Sequence, residues 1–174
     1  MNAFIKHVGE NFQHLHPVVR QAHIGDIKLS GNVRVSRGNF LATILCQILG
    51  MPKSSERVLL TVDGRHTDDA MIWNRRFGDV EMISHFELDG DFFVENMGPI
   101  KLWMTLKNKN GELIYTLEKS QFLFIPLPKF LSPTLSAFES ENDGKYIFSV
   151  RVGLPVIGKL IEYSGELTLE VNVE

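Results

Sequence analysis

Cysteine is almost missing from this chain. Cys46 stands alone among 174 residues, so neither an intrachain disulfide nor a thiolate metal cage can form. It falls in an apolar segment, where a buried, inert thiol is expected. A basic excess is missing too. Eighteen Lys and Arg against 21 Asp and Glu give a net charge of −3, leaving no field to displace counterions from nucleic acid. The longest apolar segment, around Phe40 to Met51, contains Thr43 and Gln47 and is too short to cross a bilayer, which takes about 20 residues. The opening Met-Asn-Ala-Phe-Ile-Lys lacks the basic, apolar, small-residue order of a secretory leader. The expectation is a single cytoplasmic domain, residues 1–174, with no nucleic-acid partner and no transmembrane segment.

Signatures of chemistry are also scarce. No Gly-x-Gly-x-x-Gly, P-loop lysine or Gly-x-Ser-x-Gly elbow occurs. Six histidines raise the question of metal, but His14 and His16 are two apart and point to different faces of a helix. His7 and His14 could share a face, yet no second pair at ligand spacing supports them, so no metal and no cofactor is expected. His85 is expected on an outer, solvated face.

What the chain does have is periodicity. Phe4, Val8, Phe12 and Leu15 form the stripe of an amphipathic helix that Pro17 stops, with a short turn restarting through Val18, Val19 and Ala22. Ile27, Leu29, Gly31, Val33 and Val35 then share one face of a strand. A second helix spans about 39–49, ended by Gly50 and Pro52, and is apolar around most of its circumference. Such a helix is either covered by protein nearly all round or lies in a membrane surface. With so many half-buried strands following, cover by protein is expected.

Those strands are predicted at 57–63, 70–77, 80–88, 91–97, 100–107, 112–125 with a break, 134–141, 145–153 and 159–173. Their one-sided alternation belongs to an antiparallel sheet. Hairpin signals recur at Gly78-Asp79, Asp89-Gly90, Gly98-Pro99, Asn110-Gly111 and Asn142-Asp143-Gly144. A meander of this length must curl to hide its apolar face. The predicted fold is therefore α+β: a strongly curved antiparallel meander or barrel of about ten strands packed on the buried helix 39–49, plus the N-terminal helix. The proline-containing stretch 125–133 interrupts the meander and is expected to pack over one end.

Turn chemistry also yields a candidate site. With Gly78-Asp79 as a type II′ turn, Arg75 faces Met82, Trp73 faces Ser84 and Met71 faces Phe86. With Asp89-Gly90 as a type I′ turn, Leu88 faces Asp91, Phe86 faces Phe93, Ser84 faces Glu95 and Met82 faces Met97. Opposed residues share a face, so Met71, Trp73, Phe77, Val80, Met82, Phe86, Leu88, Phe93 and Met97 define an inner wall that also carries Arg75, Ser84 and Glu95. Asp91 lies at the hairpin tip. Arg75 and Glu95 are then diagonal neighbours, and an unpaired buried charge costs several kcal/mol, so the two should pair or line a wet cavity. Tyr163 and Gly165 fall on the inner face of the last strand, Gly165 marking a bend or a close backbone approach.

Three readings remain open. The pair can be purely structural. It can belong to a cavity whose ligand-binding residues are Trp73, Arg75, Phe77, Met82, Ser84, Phe86, Glu95 and Tyr163, with Arg75 holding an acidic group on a small apolar or amphipathic molecule. Or Glu95 can act as a base, although a neighbouring cation weakens it for that role.

Several strings occur together in order: Phe12-x-x-Leu15-x-Pro17-x-x-Arg20, Trp73-x-Arg75-x-Phe77, Glu95-x-x-Gly98-Pro99, Pro126-Leu127-Pro128, and Leu154-Pro155-x-x-Gly158-x-Leu160-x-x-Tyr163-x-Gly165-x-Leu167. In these the chain resembles a bacterial family of domains of unknown function, DUF4166. The resemblance covers nearly the whole chain, implies no activity, and marks Trp73, Arg75, Phe77, Glu95 and Tyr163 as positions of the family pattern. It also implies attachment, in some members, behind dehydrogenase-like domains. Three functions follow as expectations: a non-enzymatic binding barrel, an accessory domain of an oxidoreductase partner showing an exposed apolar patch, and an enzyme using Glu95, Arg75 and Tyr163.

Overall fold

The computed structural model describes residues 1–68 and 70–171, the last without its side chain; the expected Asn172 and Val173 of the final strand lie outside them. Helices are few: α1 (Ala3–Val8), α2 (Pro17–Gln21) and α3 (Phe40–Ile48). Eleven strands follow the hairpin signals: β1 (Gly25–Arg37), β2 (Ser55–His66), β3 (Met71–Phe77), β4 (Val80–Asp89), β5 (Phe92–Met97), β6 (Ile100–Lys109), β7 (Glu112–Phe122), β8 (Ile125–Pro126), β9 (Thr134–Asn142), β10 (Lys145–Leu154) and β11 (Gly158–Val171).

Consecutive strands pair antiparallel except β8 and β9, β11 returns to β1, and β7 pairs with both β6 and β9. The result is a closed ten-strand barrel, with β8 as an extra strand on the end of β7. Closure removes the sheet edges that an open meander would expose. One seam is short. The β7–β9 ladder holds only Leu113–Glu139, Ile114–Phe138 and Tyr115–Ala137, although the same register runs on to Ser120 and Ser132, whose hydroxyls meet at 2.7 Å.

The two ends of the barrel are closed differently. The predicted N-terminal stripe exists, but Gly9 (φ 60°) breaks it after Val8 and a 3-10 turn carries Phe12. Phe4, Val8, Phe12, Leu15 and Val19 form one core with Phe93, Met104, Leu106 and Leu113, stoppering that end. Asn2 caps α1 through Ile5 N–H (3.0 Å), and Glu141 of β9 accepts the Val18 N–H of α2 (2.9 Å).

α3 lies across the opposite end, anchored by Arg37, whose guanidinium donates to the carbonyls of Pro52 (2.8 Å), Met51 (2.5 Å) and Thr43 (3.4 Å). The expectation that this helix is buried inside the sheet is corrected. Only Ala42 and Cys46 are fully buried, while Phe40, Leu41, Ile44 and Ile48 face outward. The interior is already filled by strand side chains, so the helix reaches the core with one narrow edge. The 125–133 stretch sits at the same end, as expected, but Phe130 and Leu131 project away from the barrel instead of packing over it. Gly165 is the expected close approach: a Cβ there would meet Val33 Cγ1 at 2.8 Å and Asn32 O at 3.1 Å.

Candidate functional site

The first hairpin has the predicted register, with Arg75 opposite Met82, Trp73 opposite Ser84 and Met71 opposite Phe86. The second is corrected. Gly90-Asp91, not Asp89-Gly90, forms its two-residue turn, so Phe86 faces Glu95, Leu88 faces Phe93 and Asp89 faces Phe92. The reason is conformational. A type I′ turn would need Asp89 left-handed as well, whereas with Gly90 first (φ 58°) one glycine satisfies a II′ turn. The slip moves every partner by two residues, so the face is preserved and Glu95 still points inward.

There Arg75 Nη2 donates to Glu95 Oε1 (2.5 Å), and Ser84, lying between them on β4, donates to the same oxygen (2.5 Å) and contacts Arg75 Nη2. Arg75 Nη1 donates to the Tyr163 hydroxyl at 3.4 Å. Both charged side chains are nearly enclosed, with 11% and 14% exposure. Burial works against the Arg75 charge, but Glu95 and Tyr163 outweigh it and hold the guanidinium protonated.

A cavity of about 90 Å³ opens beside this pair. Of the eight residues expected to bind a ligand, Trp73, Arg75, Phe86, Glu95 and Tyr163 line it; Phe77, Met82 and Ser84 do not. Phe77 packs edge-on against Tyr163 (5.3 Å between ring centres), and Met82 belongs to the same core. Leu88, expected on the inner wall, is exposed at the hairpin tip, and His85 is exposed as expected.

The far wall holds a polar group that sequence reasoning missed. Glu139 of β9 accepts from the Tyr115 hydroxyl (2.5 Å) through Oε1, and its Oε2 has no hydrogen-bond partner. The nearest basic atom is His23 Nε2 at 3.5 Å. Burial pushes the Glu139 carboxyl up to about 7, partly offset by the Tyr115 and Tyr146 hydroxyls and the Arg75 charge. Burial likewise lowers His23 to about 4, so it gives Glu139 no counter-charge near neutral pH.

The tautomers follow from the partners. His23 Nδ1 contacts the Val19 carbonyl (2.9 Å), which can only accept, so the proton is on Nδ1 and Nε2 is bare. A protonated Glu139 Oε2 aimed at that bare nitrogen removes the conflict of two lone pairs. His66 is held the same way, donating from Nδ1 to Gly25 O (2.8 Å) and accepting from Trp73 Nε1–H (2.7 Å). Burial first, then neighbouring His23, lowers it to about 4. Burial raises Tyr115, Tyr146 and Tyr163, so all three keep their protons.

A signal for Glu139 was present. The Asp143-Gly144 turn, with φ 49° and 73°, sets Glu139 opposite Phe148, and Phe148 shares the inner face with Tyr146. His23 and His66 carried no such signal, because their contacts join the N-terminal segment to the barrel.

The described residues contain no group of three His, Cys, Asp or Glu placed to hold a metal. No curated protein and no solved structure matches the chain. One family model does, over residues 15–167, a span that includes Arg75, Glu95, Glu139 and Tyr163: the chain belongs to the family described as Domain of unknown function (DUF4166).

Proposed function

We propose that the barrel interior binds a very small, mostly apolar molecule carrying an acceptor group such as a carboxylate. One observation carries this reading. Arg75 and Glu139 both line one cavity; Arg75 Nε–H is buried without a hydrogen-bond partner among the described residues, and Glu139 Oε2 has only the bare His23 Nε2, 3.5 Å away, to meet. Buried polar groups are almost always satisfied, so an open donor on a residue that lines a cavity is suited to an occupant. Arg75 and the Tyr163 hydroxyl offer protons to that acceptor, an ionised Glu139 repels it, and apolar walls from Leu29, Val62, Phe86 and Leu135 complete the space.

Size narrows the class. An apolar cavity of about 150 Å³ holds benzene, so about 90 Å³ takes roughly four non-hydrogen atoms, acetate in scale. At a ceiling of about 1.5 kcal/mol per atom, the best Kd for such a ligand is about 40 µM.

The test is calorimetry and thermal shift with acetate, propionate and butyrate at pH 6 and pH 8. Stabilisation at millimolar ligand is expected, strongest at pH 6, where Glu139 is neutral. It should vanish in Arg75→Met and lose its pH dependence in Glu139→Gln. No stabilisation of the natural protein at either pH, or equal stabilisation of Arg75→Met, overturns the reading.

A further inference from the structure

We infer that the α3 end of the barrel is a docking face for an anionic lipid bilayer, whatever the cavity holds.

Chain direction places α3, the Gly98-Pro99 turn, the 123–133 loop and the 155–157 turn at one end. Apolar side chains stand out from that end on separate elements: Phe40 is 76% exposed, Ile48 75%, Phe124 90%, Phe130 73% and Val156 fully so. The elements are joined into one rim. Asn39 Nδ2 donates to Ile157 O (3.0 Å), tying α3 to the 155–157 turn, and Leu123 N–H donates to Pro99 O (2.9 Å), tying the long loop to the 98–99 turn. Leu49 and Met51, just past α3, share a depression with Gly98 and Pro99. Isolated exposed apolar residues need no explanation, but a continuous rim of them does.

Charge identifies what the rim meets. The three segments bearing these tips, 37–55, 120–135 and 151–159, contain Arg37, Lys53, Lys129, Arg151 and Lys159 and no Asp or Glu. The acids of that end are Glu56, Asp79 and Glu81, on β2, the β3–β4 turn and β4, and Glu162 of β11, which pairs with Lys159 (3.6 Å). At the opposite end the helices, loops and strand tips carry Glu10, Asp26, Asp68, Asp89, Asp91, Glu112, Glu141 and Asp143 against Lys6, Arg20, Arg65, Lys107, Lys109 and Lys145, an acidic excess. A chain of net charge −3 is thus polarised, and the apolar end is its basic end. Apolar tips ringed by Lys and Arg fit a layer with anionic headgroups outside and hydrocarbon below. The all-round apolar α3 is then accounted for, since it rests one edge on the barrel and presents the other to lipid.

The experiment is flotation of the full chain with vesicles of phosphatidylglycerol and phosphatidylcholine, and with phosphatidylcholine alone. Binding to the anionic vesicles is expected, weakening as salt rises. Phe40→Ser with Phe124→Ser should weaken it at least about tenfold, given the transfer energy of a Phe side chain. Lys53→Gln with Lys129→Gln should do the same, at about fivefold per charge near an anionic surface. All four residues are exposed, so the variants should keep the parent's circular dichroism and melting temperature. The inference is overturned by absence of vesicle binding, by equal binding to neutral vesicles, or by binding that both double variants retain. It is equally overturned if light scattering shows a dimer that Phe40→Ser with Phe124→Ser dissociates, which would make a second copy the occupant.

Discussion

Replacing Glu139 by Gln should stabilise the protein, and only above a definite pH. In the unfolded chain the carboxyl titrates at its ordinary value of 4.5, whereas in the barrel burial moves it to about 7. A carboxyl raised in the native state contributes its full stability below the unfolded value and loses it as pH rises through the native one. A shift of about 2.5 units corresponds to about 3 kcal/mol. The glutamine side chain of the variant would mimic the protonated acid, its carbonyl accepting from Tyr115 and its amide reaching toward the bare His23 Nε2. The two proteins should therefore differ by less than about 1 kcal/mol at pH 5, and the variant should be more stable by about 3 kcal/mol at pH 8.

Urea unfolding followed by Trp fluorescence at half-unit steps from pH 5 to 8.5 measures the gap directly. His23 and His66, lowered to about 4, impose an opposite slope, because neutral native histidines gain stability as pH rises from about 4 to 6.5. That slope is common to both proteins and cancels in the difference. A difference that stays flat across the range would mean that Glu139 is ionised at low pH through a partner the contacts above do not include, and the neutral-carboxyl reasoning would be wrong.

Arg75→Met should cost about 3–5 kcal/mol by leaving Glu95 buried with Ser84 alone, and Arg75→Met combined with Glu95→Met should recover most of that loss; chemical denaturation of the singles and the double checks it. Trp73→Phe leaves His66 Nε2 with no donor and should cost about 1–3 kcal/mol beyond the change in packing, read as a lower urea midpoint at pH 7. Gly165→Ala drives a methyl against Val33 and the Asn32 carbonyl where β1 and β11 pair, and should cost about 1–3 kcal/mol, read as a lower melting temperature.

Local chemistry was legible wherever one element decided it. Gly-first and Asn-Gly or Asp-Gly turns gave the meander, and alternation gave the inward faces of β1, β3, β4 and β11. The Arg75–Glu95 pair survived a wrong turn type because slipping a hairpin by two residues keeps every side chain on its side of the sheet. Closure was not legible in the same way. The β7–β9 pairing spans the long apolar loop, no tight turn sets it, and it is this pairing that brings Tyr115 to Glu139. The outward face of α3 failed for a different reason. Periodicity shows how much of a helix is apolar, but whether protein covers it depends on the barrel's interior being already full.

The interior treats its two carboxyls unequally. Glu95 is met by a guanidinium and a serine hydroxyl, an arrangement sufficient for structure alone. Glu139 is met by tyrosine hydroxyls and a histidine that burial keeps neutral, so any ionised form lacks a close counter-charge. If a filled core were the only requirement, an amide or an aliphatic side chain at 139 would serve better at every pH above about 7. Sites where local rules are broken at a cost in stability are where function concentrates. The weight of the binding reading therefore falls on β9 more than on the β3–β5 hairpins where the sequence first drew attention.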